Sequence, residues 1–163
     1  INNGDVSTSP GLAHALDSAF HLTYGKTVFF GMADTIMQPK DVFVQGYKLA
    51  DEKSDIVLCL FPTNHPEKFG MVQLEGKRVI RVVDKPQNSD LSLMWGCMIW
   101  RPQFTEFLHD AIWSKGKTDF AQILNDAICL GLHIEGVCIS NGNFVDIGTY
   151  EEIMELDQRL RDG

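Results

Sequence analysis

Ile56-Val57-Leu58-Cys59-Leu60-Phe61 is a run of six apolar residues that stops at Pro62. The run is short for a buried helix, opens on two β-branched residues, and leaves no polar position on either alternating face. That pattern predicts a strand buried on both sides, as in a parallel sheet. Upstream, Val28-Phe29-Phe30-Gly31-Met32-Ala33 has the same character and ends abruptly at Asp34. A pair of such strands implies an α/β layer architecture.

Outward from this pair, Gly70-Met71-Val72-Gln73-Leu74, a turn at Glu75-Gly76, and Arg78-Val79-Ile80-Arg81-Val82-Val83 read as an antiparallel hairpin. The expected fold is therefore α/β, with a mixed, mainly parallel sheet flanked by helices. Further strands are expected near Cys97-Met98-Ile99-Trp100 and from Ile134 to Ile139. Phe104, Phe107, Leu108 and Ala111 keep helical spacing, as do Phe120, Ile123, Leu124, Ala127 and Ile128, so each set predicts a helix with one buried face. Asp119 with Gln122 forms a capping box at the start of the second helix, and Gly131 stands where a helix C-terminal glycine belongs. An earlier helix is expected from Gly11 to Leu22, with Leu12, Ala15, Leu16 and Ala19 on its buried side. A last helix is expected from Thr149, capped by that hydroxyl and by Glu152 reaching back. The polar stretch between the first two strands is given no element.

Composition narrows the partners. The chain has 163 residues, 44% hydrophobic and 22% charged, which is ordinary for one globular domain. Its net charge is -8 and its longest basic run is Lys77-Arg78, which disfavours a nucleic-acid backbone as ligand. No apolar stretch approaches the ~18 residues a bilayer span needs, so no membrane partner is expected and the expected location is cytoplasmic. Cys59, Cys97, Cys129 and Cys138 form no C-x-x-C pair and lie in apolar surroundings, and buried thiols in a reducing compartment are expected. Residue 1 is Ile rather than Met, which raises the expectation of a fragment.

Asp34 lies at the end of a buried strand, where ligands bind in open α/β sheets; taken locally it reads rather as the start of a turn before Thr35. Asp146 stands between Val145 and Ile147 just ahead of a helix N-terminus, and reads locally either as a ligand contact or as part of a turn and cap. Lys85, after Asp84 and before Pro86, is held in a segment that proline biases toward extended backbone. There it offers a point charge suited to a phosphate, or simply a solvated strand-end lysine paired with Asp84. His14, His21, His65, His109 and His133 show no metal-ligand spacing. Glu106 and Asp110, and likewise Glu151, Glu152 and Glu155, read as solvated helix faces.

Taken in order, these signals form one pattern. Ser9-Pro10-Gly11-Leu12-Ala13, Ala33-Asp34-Thr35-Ile36, Lys68-Phe69-Gly70-Met71-Val72, Asp84-Lys85-Pro86, Trp95-Gly96 and Phe144-Val145-Asp146-Ile147-Gly148-Thr149 resemble the sugar-1-phosphate nucleotidyltransferases over nearly the whole chain. The likeness is nearest to the glucose-1-phosphate thymidylyl- and uridylyltransferase branch. The resemblance implies a Rossmann-like nucleotidyltransferase fold and transfer of a nucleotidyl group from a nucleoside triphosphate, dTTP or UTP, to a sugar 1-phosphate. It implies that Asp34 and Asp146 hold Mg²⁺ and that Lys85 neutralises the sugar phosphate. By the same resemblance Asp84 and Gly70 contact sugar hydroxyls, Trp95, Gly96 and Phe144 line the sugar pocket, and Gly11 packs near the base.

The chain departs from the family pattern in three places. Ala33 replaces the glycine before the first aspartate, and Asp84 stands one methylene shorter than the glutamate of the family's E-K-P motif. No G-x-G-x-R-L loop occurs in residues 1–10. The expectation is that residues 1–163 form the C-terminal part of a single nucleotidyltransferase domain whose N-terminal strands are missing, with turnover belonging to the intact parent. Two other readings stand beside this one: a non-catalytic sugar-phosphate-binding or regulatory subunit, and a chain that self-associates through a sheet edge left unpaired.

Overall fold

A computed structural model describes residues 11–148, together with 153–154 and 157–158. The apolar run from Ile56 to Phe61 lies in strand β3 (Ile56–Pro62), and its burial accounts for its composition. Ile56, Leu58 and Leu60 enter one apolar cluster, and Val57, Cys59 and Phe61 enter a second on the opposite face. Helices α1 (Leu12–Asp17), α4 (Pro102–Trp113) and α5 (Phe120–Cys129) contribute to the first cluster, and α3 (Val42–Leu49) to the second. Helix α3 lies so close that a Cβ on Gly46 would fall 2.5 Å from Cys59 Sγ, which reserves that position for glycine.

The main sheet runs in the order β1 (Val28–Gly31), β6 (Leu93–Trp100), β3, β7 (Ile134–Cys138), β5 (Arg78–Asp84), β4 (Gly70–Glu75). The mixed α/β class is as expected. Among the described strands β3 and β7 are parallel, while β6 runs antiparallel to both β1 and β3, and β4 and β5 form the hairpin. Two-sided burial of β3 thus comes from helices on both faces, which bury an antiparallel neighbour as fully as a parallel one. Strand β4 also pairs with β6, at Met71 opposite Met94, which links the hairpin to β6 as well as to β7.

A second, two-stranded sheet pairs β2 (Thr35–Gln38) with β8 (Asn143–Asp146). Neither strand was expected, because four residues are too few for a period to show. Helix α3 carries little sequence signal for a related reason: its Val42, Val44 and Gly46 are weak helix formers. The helix expected from Gly11 to Leu22 is two pieces, α1 and α2 (Phe20–Thr23). Ser18 Oγ donates to Ala15 O, and the Thr23 hydroxyl donates to Ala19 O, side-chain bonds that compete with helix continuation. The buried residues of α1 are Ala13 and Asp17. Asp17 accepts bonds from His109 Nδ1 at 2.8 Å and Trp113 Nε1 at 2.6 Å on α4, so a polar clasp replaces part of the expected apolar face.

Helix α5 follows its sequence signals: Asp119 accepts from Gln122 N at 3.1 Å, and Gly131 takes a φ of +94° beyond its end. Residues 153–154 and 157–158 are helical; Thr149, Glu152, Ser9 and Pro10 lie outside the described residues. Burial of the thiols holds for Cys59 and Cys97, whereas Cys129 and Cys138, at the ends of α5 and β7, are exposed. Among the described residues no helix is long and apolar enough to cross a membrane.

Candidate active site

The chain leaves β1 at Gly31, turns through residues 32–34 and enters β2. Thr35 Oγ1 donates to Met32 O at 2.8 Å and fixes that turn. In the β2–β8 ladder Thr35 lies opposite Asp146, and Ile147 N donates to Asp34 O at 2.9 Å, extending the pairing by one step. Two aspartates remote in sequence therefore stand side by side at one end of a short ribbon. Gly148 measures their approach: a Cβ there would lie 3.2 Å from Asp146 Oδ1 and 3.5 Å from Asp34 Oδ2. Gly148 N also donates to Asp146 Oδ1 at 3.0 Å, which orients that carboxylate.

Both carboxylates open into a cleft of about 400 Å³. All the sequence-predicted site residues line it except Gly11. Gly11 sits at its rim, where a Cβ would lie 3.8 Å from Thr118 O, and the neighbouring Leu12 forms the wall. Hairpin register brings the next group together, since Gly70 is directly opposite Asp84. Trp95 packs across Gly70 so tightly that a Cβ would fall 2.3 Å from the indole Nε1. Trp95 also meets the Phe120 ring at a tilt of 53°, with centroids 6.0 Å apart. Gly96 is buried beneath the rings of Phe144 and Phe61.

Lys85 follows Asp84 at the end of β5 and departs from the extended backbone expected before Pro86. Its φ is +43°, in the left-handed region, while its N–H donates to Phe69 O at 3.0 Å. A non-glycine residue held there carries strain, and such residues gather at ligand sites. Lys85 joins Lys68 and the aspartates in the cleft wall, so both signs of charge meet in one concavity.

Sequence reasoning had no site role for Gly148, Lys68, Thr118, Asp119 or Phe120. Asp119 and Phe120 carried signals, but as helix cap and core residue. A second cavity of about 240 Å³, lined by Tyr47, Asp51 and Arg101 among others, holds none of the predicted residues.

Among the described residues no group of three or more His, Cys, Asp or Glu could hold a metal ion. The Asp34–Asp146 pair nonetheless fits Mg²⁺, a hard cation that takes one or two carboxylates and completes its shell with phosphate and water oxygens. The absent side chain at Gly148 leaves room beside both carboxylates for such an ion.

The Nucleotidyl transferase family matches residues 3–163. No curated protein matches the chain by sequence. Among solved structures, a protein assigned as a glucose-1-phosphate thymidylyltransferase from Bacillus anthracis, in complex with a sucrose, is similar with a TM-score of 0.75 at 18% identity, over 96% of this chain and 63% of that one. An apo UDP-glucose pyrophosphorylase is similar with a TM-score of 0.75 at 19% identity, over 96% of this chain and 62% of that one. A UTP-bound UGPase from Acinetobacter baumannii is similar with a TM-score of 0.73 at 12% identity, over 92% and 56%. The likeness is one of fold, and the chain spans less than two thirds of the length of these proteins.

Proposed function

This chain belongs to the Nucleotidyl transferase family, and on that premise we propose that its cleft serves the transfer of a nucleotidyl group from a nucleoside triphosphate to a sugar 1-phosphate. A phosphate oxygen of the sugar 1-phosphate attacks the α-phosphorus of the triphosphate. The bond from that phosphorus to the β-phosphate oxygen breaks, so the products are a nucleotide sugar and pyrophosphate. The observation that carries this reading is the β2–β8 ladder, which sets Asp34 and Asp146 together in the cleft that also holds Lys85.

Each side chain has a task suited to its chemistry. Asp34 and Asp146 would hold Mg²⁺, which when bound supplies charge neutralisation at the triphosphate. Lys85 offsets the charge of the sugar phosphate, and its constrained backbone limits the positions its ammonium can take. Asp84 accepts hydrogen bonds from sugar hydroxyls, and the Trp95 indole offers an apolar face for the ring. With no covalent step for the protein, rate comes from alignment and electrostatics. The cleft wall carries Asp34, Asp84, Asp119 and Asp146 against Lys68 and Lys85, so a bound Mg²⁺ would supply the positive charge needed beside Lys85 to receive two anionic substrates. The neighbours' association with UTP and with thymidylyl transfer supports UTP or dTTP as donor.

The test is pyrophosphate release by the polypeptide at its full encoded length, with glucose 1-phosphate, Mg²⁺ and UTP or dTTP. Release in the wild type and its loss in Asp34→Ala and Asp146→Ala are expected. Full activity in both variants would remove the metal-site assignment, and sugar-phosphate binding with no turnover would favour a non-catalytic binding subunit.

A further inference from the structure

The β2–β8 ribbon is a separate sheet of two four-residue strands, a size that does not hold its shape alone. Phe144 helps to seat it on the main sheet, together with Met37. The Phe144 ring lies 5.6 Å from the Phe61 ring of β3 and meets the Phe69 ring edge-on at 5.7 Å. It also covers Gly96 of β6 so closely that a Cβ there would fall 2.7 and 2.8 Å from two of its carbons. Gly142, at the entry to β8, rests on Phe61 as well, where a Cβ would lie 2.9 Å from the ring. Opposite Phe144 in the ladder is Met37, packed against the same cluster. Asp146 follows Phe144 by two residues and so projects from the same side of the strand.

We propose that Phe144, seated in the hollow left by Gly96, is a positioning residue for the metal-binding pair. Its ring sets where the ribbon stands on the sheet, and thereby where Asp146 and its neighbour Asp34 present their oxygens. This deepens the functional reading above and rests on it. It also gives Phe144 and Gly96 work that precedes any sugar: a residue that only lined a sugar pocket would not affect metal affinity in the absence of sugar.

Mn²⁺ titration of the ¹⁵N-labelled polypeptide at its full encoded length, without sugar or nucleotide and read at the Gly148 amide, tests this directly, because broadening there reports an ion beside both carboxylates. Wild type is expected to broaden at Gly148, and Asp34→Asn with Asp146→Asn is expected not to. Phe144→Ala should need about tenfold more Mn²⁺ or higher, the usual effect of removing a residue that orients a metal ligand. Phe144→Leu, which refills most of the hollow, should recover most of that loss. Retained β3 and β6 amide signals establish that the variants are folded, and if Phe144→Ala loses them, Met37→Ala on the opposing strand carries the test with the same expected direction. Wild-type Mn²⁺ affinity in folded Phe144→Ala, or in Met37→Ala where that variant carries the test, overturns the positioning role. Absence of broadening in the wild type instead overturns the metal-site reading beneath it.

Discussion

Replacing Lys85 separates what its backbone contributes from what its ammonium contributes. At a φ of +43° a residue with a Cβ is held in the left-handed region, at a cost of ~1–2 kcal/mol relative to its relaxed conformations. Pro86 restricts the same backbone from the other side. Glycine removes the steric cost but enlarges the conformational freedom of the unfolded chain, which returns ~0.5–1 kcal/mol. The bond from Lys85 N to Phe69 O survives either substitution, since it is a main-chain bond. Lys85→Gly should therefore be more stable than Lys85→Ala by up to about 1.5 kcal/mol, the difference between those two opposing effects. Both variants should lose sugar-phosphate binding, because neither has the ammonium. Urea unfolding followed by tryptophan fluorescence reads the first effect, and ³¹P line broadening of glucose 1-phosphate reads the second. The reasoning fails if Lys85→Gly is the less stable of the two, or if either variant binds the sugar phosphate as wild type does.

Two further outcomes follow from local geometry. Gly148→Ala puts a methyl group 3.2 Å from Asp146 Oδ1 and 3.5 Å from Asp34 Oδ2; the Mg²⁺ concentration for half-maximal pyrophosphate release should rise several-fold, and an unchanged requirement would place the ion elsewhere. Burial pushes the Glu135 carboxyl up, but the Asp51 N–H at 2.7 Å, the Ser54 hydroxyl at 2.8 Å and the Lys77 ammonium at 3.4 Å outweigh it and hold the group below its ordinary value. That stabilisation is complete above the unfolded-state pKa, about 4.3, and is lost as pH falls through the lower folded-state value. Stability measured in urea should accordingly fall less from pH 6 to pH 3 in Glu135→Gln than in wild type, and parallel decline of the two would show that Glu135 contributes nothing to the acid limb.

The fold was legible where burial leaves a periodic signature. Strand β3 announced itself because every residue from Ile56 to Phe61 is buried, and α5 because its cap, apolar face and terminal glycine agree. Strands β2 and β8 were hidden, being short and half-buried, and with them went the means by which Asp34 and Asp146 meet. Their pairing spans most of the chain, a contact that no local pattern encodes. The order of motifs pointed to the same two residues without showing how they come together. At Lys85 the local rule pointed the wrong way: Pro86 favours an extended residue before it, but the tertiary bond to Phe69 O and the turn out of β5 prevail. Gly148 shows a related limit, because its importance lies in space kept empty beside two carboxylates rather than in any chemistry of its own.

The central claim is that a sugar-phosphate oxygen attacks the α-phosphorus of a nucleoside triphosphate in this cleft. Glucose 1-phosphate carrying ¹⁸O at all its phosphate oxygens, incubated with the full encoded polypeptide, Mg²⁺ and UTP or dTTP, tests it most directly by mass spectrometry of the products. The account predicts a nucleotide sugar that retains every labelled oxygen, with unlabelled pyrophosphate released beside it. Labelled inorganic phosphate, or labelled sugar phosphate recovered unchanged while the triphosphate is hydrolysed, would contradict it.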